Sequence, residues 1–191
     1  MRRLLPVYCL VALLCAGPAA AETCLSPFVK RLDRPEKYLY VFCVDADEKD
    51  NDFLLVLDVD VESPRYGEKL YQLDLGSRGN ETHHFGYTDD RTHIWGCSLF
   101  SNRVFVINVA DDPAKPKLVK VLDSSEKSGL TGPHSPYALP GRILMSFLGG
   151  KDGGVPSGLA STKATVSGPS CLRPRTTRVR HTSPGATPAP A

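Results

Sequence analysis

No CxxC pair occurs among the six cysteines, so neither a zinc ribbon nor a thioredoxin-type dithiol can be read from this chain. No acidic residue follows Asp152, whereas Lys163, Arg173, Arg175, Arg178 and Arg180 do. The formal charge of +2 therefore comes from the two ends: between Glu22 and Ala160, 16 lysines and arginines stand against 21 aspartates and glutamates. That mildly acidic body lacks the basic face that a nucleic-acid partner requires. No apolar run is long enough to span a bilayer, and no stretch has the periodicity of an amphipathic helix. Gly149-Gly150-Lys151-Asp152-Gly153-Gly154 lacks the Lys-Ser/Thr ending and the following helix of a phosphate loop. The run from Asp45 to Asp52 lacks the spacing and terminal glutamate of a calcium loop and reads as solvated. Asp89-Asp90, with Arg91 beside them, reads as a turn rather than a catalytic carboxylate pair.

What is there begins with an export signal. Arg2 and Arg3 open a basic region, Leu4 to Cys15 is apolar apart from Pro6, and Ala19-Ala20-Ala21 offers a small-residue cleavage site. This predicts a signal peptide over 1–21, with Glu22 as the mature start and a periplasmic or secreted product. Leu14 before Cys15 and Thr23 before Cys24 do not fit a lipoprotein site. Cleavage leaves Cys24, Cys43, Cys97 and Cys171. Two readings stay open: a Cys24–Cys43 disulfide, or Cys43 and Cys97 buried in strands as small apolar residues.

Short strands alternate with Gly, Pro and Asp turns, which indicates an all-β fold. The pattern predicts strands over Tyr38–Val44, Phe53–Val61, Lys69–Leu75, Thr92–Leu99, Arg103–Ala110, Lys117–Leu122 and Arg142–Leu148. Phe53–Val61 is apolar enough to be buried on both faces. Loops over Gly76–Gly86 and Ser124–Pro136 each hold histidine. The segments repeat: Leu54-Leu55-Val56-Leu57-Asp58-Val59 matches Val104-Phe105-Val106-Ile107-Asn108-Val109 at an offset of 50, as His84 matches His134 and Tyr87 matches Tyr137. A unit of this size is one blade of a β-propeller, which must stack on neighbours to bury its core. Imidazoles recurring at one place in each blade should converge on one site. His93 is matched by Ile143 in the repeat and reads as structural.

Residues 22–160 hold fewer than three such repeats, whereas a propeller closes with about four to eight blades. The expected fold is therefore a partial propeller of about two to three blades over 22–160. From Ser161 the strand pattern stops and Ser, Thr, Pro, Ala, Gly and Arg dominate, which predicts a disordered tail over 161–191. The abrupt change inside a continuing blade suggests an out-of-frame segment; an intact single-frame gene ending at Ala191 would exclude that.

Several ordered motifs carry a family likeness. Phe53-Leu54-Leu55-Val56-Leu57-Asp58-Val59-Asp60, Ser63-Pro64-Arg65-Tyr66 and Glu81-x-His83-His84-x-Gly86 resemble the selenium-binding protein/methanethiol oxidase family. So do Ser101-Asn102-Arg103-Val104-Phe105-Val106-Ile107-Asn108-Val109, Asp112-Pro113-Ala114-Lys115-Pro116-Lys117-Leu118, Gly132-Pro133-His134 and Gly141-Arg142-Ile143-Leu144-Met145-Ser146. The likeness covers Tyr38 to Gly158 and implies the N-terminal part of a closed propeller, about seven-bladed. It implies copper-dependent oxidation of a small thiol: methanethiol, oxygen and water give formaldehyde, hydrogen sulfide and hydrogen peroxide. It also implies His83, His84 and His134 as metal ligands; Tyr87 and Tyr137, which recur with the histidines, are read from the repeat as candidate donors behind them. Tyr137 stands where many relatives have a second histidine, and Gly67 stands where some animal relatives have a cysteine proposed to hold selenium. Two other classes fit the same residues: a non-catalytic propeller that serves as a binding platform, and an inactive gene remnant.

Overall fold

In a computed structural model, residues 25–82 and 84–164 and the backbone of 173–175 are described. The expected signal peptide, Cys24, His83, Cys171 and most of the 161–191 tail lie outside the described residues. Among the described residues, eleven strands and one short helix follow in order: β1 (Tyr38–Cys43), β2 (Phe53–Asp58), β3 (Lys69–Asp74), β4 (His84–Tyr87), β5 (His93–Cys97), β6 (Arg103–Asn108), β7 (Lys117–Asp123), α1 (Ser124–Ser128), β8 (Thr131–Leu139), β9 (Arg142–Gly149), β10 (Gly158–Lys163) and β11 (Arg173–Arg175). They form three antiparallel meanders, β1-β2-β3, β4-β5-β6-β7 and β8-β9-β10-β11. These are three consecutive propeller blades, and the all-β expectation holds. No helix among the described residues is long and apolar enough to cross a membrane.

The 50-residue repeat is physical. β2 and β6 each slip register at the same place, between Val56 and Leu57 and between Val106 and Ile107. Each ends in a side chain that accepts the N–H two residues on: Asp58 from Asp60 at 3.0 Å, Asn108 from Ala110 at 2.9 Å. That local bond starts the turn leading to the next strand.

The middle blade is the core of the molecule. Trp95, Cys97, Val104 and Val106 pack toward the third blade with Ile143, Met145 and Phe147. Ile94, Phe105 and Ile107 pack the other way, against Tyr40, Leu54 and Val56 of the first blade. Period-2 alternation puts alternate residues on opposite faces, and both faces here are covered. Burial on both faces was expected of Phe53–Val61, but β6 has it and β2 does not. In β2 only Leu54, Val56 and Asp58 are buried, because no described blade covers the face of Phe53, Leu55 and Leu57.

Three further expectations need correction. The loops over Gly76–Gly86 and Ser124–Pro136 end in strands β4 and β8, so His84 and His134 are strand residues. The second connection also holds α1, a single turn capped by the Asp123 carboxylate and ended by Gly129 at φ +66°. Sheet pairing continues past residue 160: β10 runs to Lys163 and pairs with β9, and β11 pairs with β10.

One close approach makes a prediction. A Cβ on Gly96 would lie 2.7 Å from Phe42 Cζ and 3.0 Å from Thr82 Cγ2. Thr82 is held by its hydroxyl, 2.5 Å from Ser98 Oγ, and cannot yield freely. Gly96→Ala should therefore cost about 1–3 kcal/mol by overpacking. A urea midpoint equal to that of the parent would refute this contact.

Candidate functional site

β4 and β8 are edge strands of their sheets and lie side by side. Each opens its four-stranded blade, and each carries one recurring histidine. In β4, His84 pairs with Cys97 and Gly86 with Trp95. Directly paired residues share a sheet face. A Cβ on Gly86 would lie 3.5 Å from Pro136 O, which identifies that face as the one toward β8. His134 reaches the same space by a different route. Between Pro133 and Pro136, β8 has one residue more than β9, a bulge occupied by His134 and Ser135. Bulges re-aim side chains, and prolines are tolerated on an edge strand or at a bulge. The Ser135 N–H donates to Ser146 Oγ at 3.1 Å, and Ser135 Oγ lies 2.9 Å from His134 Nδ1.

The imidazoles of His84 and His134 meet with ring centroids 4.1 Å apart and planes at 47°. His84 is exposed and His134 half-buried, so the pair opens to solvent. Cys97, the cross-strand neighbour of His84, is fully buried, with its Sγ 3.7 Å from Met145 Sδ. Burial pushes the Cys97 thiol far above its usual range, so it stays protonated and is no nucleophile. An apolar groove of about 190 Å³, lined by Leu25, Val29, Phe85, Gly86 and Pro136, lies farther along the same two strands. Gly86 and Pro136 each lie two residues beyond a histidine. Ser26 fixes the Leu25–Val29 segment there by donating to Ala138 O at 2.7 Å.

Of the ligand set His83, His84 and His134, the structure brings His84 and His134 together; His83 lies outside the described residues. Among the described residues, no three His, Cys, Asp or Glu side chains gather closely enough to hold a metal ion. The two tyrosines do not stand behind the imidazoles. Tyr87 lies on the opposite face of β4 from His84, where it packs with the first blade, touches the edge of the cluster shared with the third, and lies under the Arg91 guanidinium, 4.2 Å from its ring centroid. Burial, with the nearby Glu36 charge, raises its phenol pKa against the effect of Arg91. Tyr137 pairs with Leu144, whereas its buried neighbour Ala138 takes the face toward the second blade, so Tyr137 faces away. Tyr87 stands three positions after His84 in a strand without a bulge, and an odd step there changes face.

His93 lies at the far end of β5 from Cys97, with its Nδ1 2.8 Å from Thr92 Oγ1; burial lowers its pKa, and Asp90 and Asp111 oppose that. Asp89 and Asp90 serve turns: Asp90 accepts from the Thr92 N–H at 3.0 Å, and Asp89 from the Gly141 N–H at 2.7 Å. Ser135 and Ser146 were not among the sequence candidates. The only signal for them was the pair of prolines flanking the bulge.

Comparison with known proteins agrees with this architecture. A family model described as 56kDa selenium binding protein (SBP56) matches residues 20–167. A methanethiol oxidase from Hyphomicrobium sp is 42% identical over 138 residues, which is 69% of this chain and 31% of the relative. A methanethiol oxidase from Ruegeria pomeroyi is 34% identical over 137 residues, 70% of this chain and 31% of the relative. Selenium-binding protein 1 of Arabidopsis thaliana is 34% identical over 153 residues, 72% of this chain and 30% of the relative. Among solved structures, a hypothetical selenium-binding protein from Sulfolobus tokodaii superimposes with a TM-score of 0.63 at 27% identity, covering 68% of this chain and 32% of that one. The chain thus spans less than a third of the length of the curated relatives named here.

Proposed function

The chain belongs to the selenium-binding protein family, and from that premise we propose that it carries part of a copper-dependent site for oxidation of methanethiol or a similarly small thiol. The observation that carries this reading is the contact between the imidazoles of His84 and His134, delivered from the opening strands of two neighbouring blades. The donor chemistry fits. Imidazole is a good copper ligand, and two rings open to solvent on one side leave room for a thiol and oxygen. His83, one residue before His84, is the third candidate ligand. Further ligands would come from parts of the propeller outside these three blades.

Copper held there would supply the redox chemistry by which methanethiol, oxygen and water give formaldehyde, hydrogen sulfide and hydrogen peroxide. The chain's own residues do the rest. Ser135 engages His134 Nδ1, which would leave Nε2 as the nitrogen free to hold the metal. The groove two residues along from the pair offers Leu25, Val29 and Pro136 as an apolar surface to a methyl group. Cys97, buried and protonated, does not compete with the substrate thiol. We also propose export, supported by the basic and apolar segments over 1–21 and their cleavage site.

The single tryptophan makes a direct test available. Trp95 shares its sheet face with His84, two pairs along the ladder. Titrating the full chain with Cu²⁺ should give saturable quenching of Trp95 fluorescence. Quenching that never saturates, or that is equal in a His84→Ala/His134→Ala double variant, would sink the copper reading.

A further inference from the structure

The repeat that brings the imidazoles together also repeats the device that holds their strands. Asp52 and Asn102 are 50 residues apart, each immediately before the strand that follows, β2 or β6. Each uses its carbonyl to accept the N–H of the residue just after its blade's outer strand: Leu75 at 3.0 Å for Asp52, Ser124 at 2.9 Å for Asn102. Each uses its side chain to accept a backbone N–H in the connection to the next blade. Asp52 Oδ2 accepts from Asn80 N at 2.8 Å, four residues before His84. Asn102 Oδ1 accepts from Gly132 N at 2.8 Å, two residues before His134.

We propose that Asp52 and Asn102 are positioning residues that set how far β4 and β8 extend along the propeller axis, and so bring the two imidazoles level. This rests on the reading of His84 and His134 as the site. The bond from Gly132 anchors the chain two residues before the second histidine, where Pro133 has no N–H to offer and the bulge begins. Gly132 has little slack: at φ +63° its Cα is boxed by Leu99 Cδ1 and Leu148 Cβ, which a Cβ would meet at 3.3 and 3.4 Å. On the other strand the anchor is stronger. The Asp52 carboxylate is buried, and it also takes the Asn80 amide at 2.8 Å and the Asp45 N–H at 2.9 Å. Charge-assisted bonds of this kind are shorter and stronger than neutral ones. Asn80 in turn accepts from Arg103 Nη1 at 3.4 Å, which ties the first anchor to β6 of the middle blade.

Asn102 allows a clean test, because its φ of +57° is one that Asn, Asp and Gly adopt readily. Asn102→Gly removes the acceptor without strain, and Asn102→Asp keeps it. Both are made in the full chain, and the metal-free protein is read by the nuclear Overhauser cross-peak between the His84 and His134 rings. Cu²⁺ affinity and the electron paramagnetic resonance spectrum of the loaded protein are read separately. Asn102→Gly should lose the ring-to-ring cross-peak and lower Cu²⁺ affinity by about 10–100-fold, as loss of a supporting shell does. Asn102→Asp should retain both. If Asn102→Gly does not fold, Asp52→Asn serves instead: it keeps the shape but turns one acceptor oxygen into a donor, and should displace the His84 ring. The inference is overturned if the cross-peak and Cu²⁺ affinity survive in whichever of these variants folds. A parent chain that shows the cross-peak but binds no Cu²⁺ would refute the copper site, and the cross-peak would still decide the role of Asn102.

Discussion

Replacing either His84 or His134 with alanine is expected to lower Cu²⁺ affinity by at least about 100-fold, the upper end of what losing an outer-shell partner costs. A ligand contributes more than the group that supports it. The two variants should behave alike, because the rings meet at 4.1 Å and neither strand offers a second imidazole within the described residues. Both should fold, since His84 is exposed and His134 only half-buried, and neither belongs to the clusters that hold the blades together. His93→Ala is the control. It sits at the other end of β5 and should leave Cu²⁺ affinity within about twofold, as for independent sites far apart. Isothermal titration of the three variants separates the cases. Equal losses in all three would mean that copper is held by surface histidines without a site.

Much of this geometry could be read from residue order. The offset of 50 linked Leu54 to Val104 and His84 to His134, and it survives as paired register slips in β2 and β6 and as converging rings. Periodicity reports which residues are equivalent, and equivalent residues in stacked blades point the same way. Periodicity does not report which copy has neighbours on both sides. Leu55 and Phe105 are equivalent, yet Phe105 is fully buried against the first blade and Leu55 lies half-buried on the face of β2 away from the second. Reading β2 as buried on both faces assigned to one copy the environment of the other.

The histidine strands were missed for a different reason. β4 spans only four residues and contains glycine, and β8 carries Pro133 and Pro136, so neither looks like a strand by composition. Both are edge strands whose place is set by contact with each other rather than by propensity. The role expected of Tyr87 failed on simple parity, since a step of three along a strand without a bulge reverses the face, whereas the face of Tyr137 follows from its pairing with Leu144 beyond the bulge. Parity could be applied only once the loops were known to be strands.

Replacing Trp95 with alanine should be the most damaging single change to the fold, at about 3–5 kcal/mol. Trp95 is among the largest fully buried side chains and joins Val104 and Val106 of the middle blade to Ile143, Met145 and Phe147 of the third. A domain of this size has about 5–15 kcal/mol in all, so the loss would leave a substantial unfolded population near its working temperature. Trp95→Phe should cost far less than the lost ring area suggests. Among the described residues, the indole Nε1–H has no acceptor, and an unmet buried donor itself costs about 1–3 kcal/mol. Phenylalanine removes that donor while filling most of the space. Because β8 is part of the blade that Trp95 holds in place, the two substitutions also separate packing from site geometry. Trp95→Phe should keep the third blade docked and His134 against His84, with Cu²⁺ affinity near that of the parent. Trp95→Ala should lose affinity in step with loss of structure, followed by far-ultraviolet circular dichroism through a urea series. If Trp95→Ala melts with the parent, the middle blade is not the core around which the histidine strands are assembled.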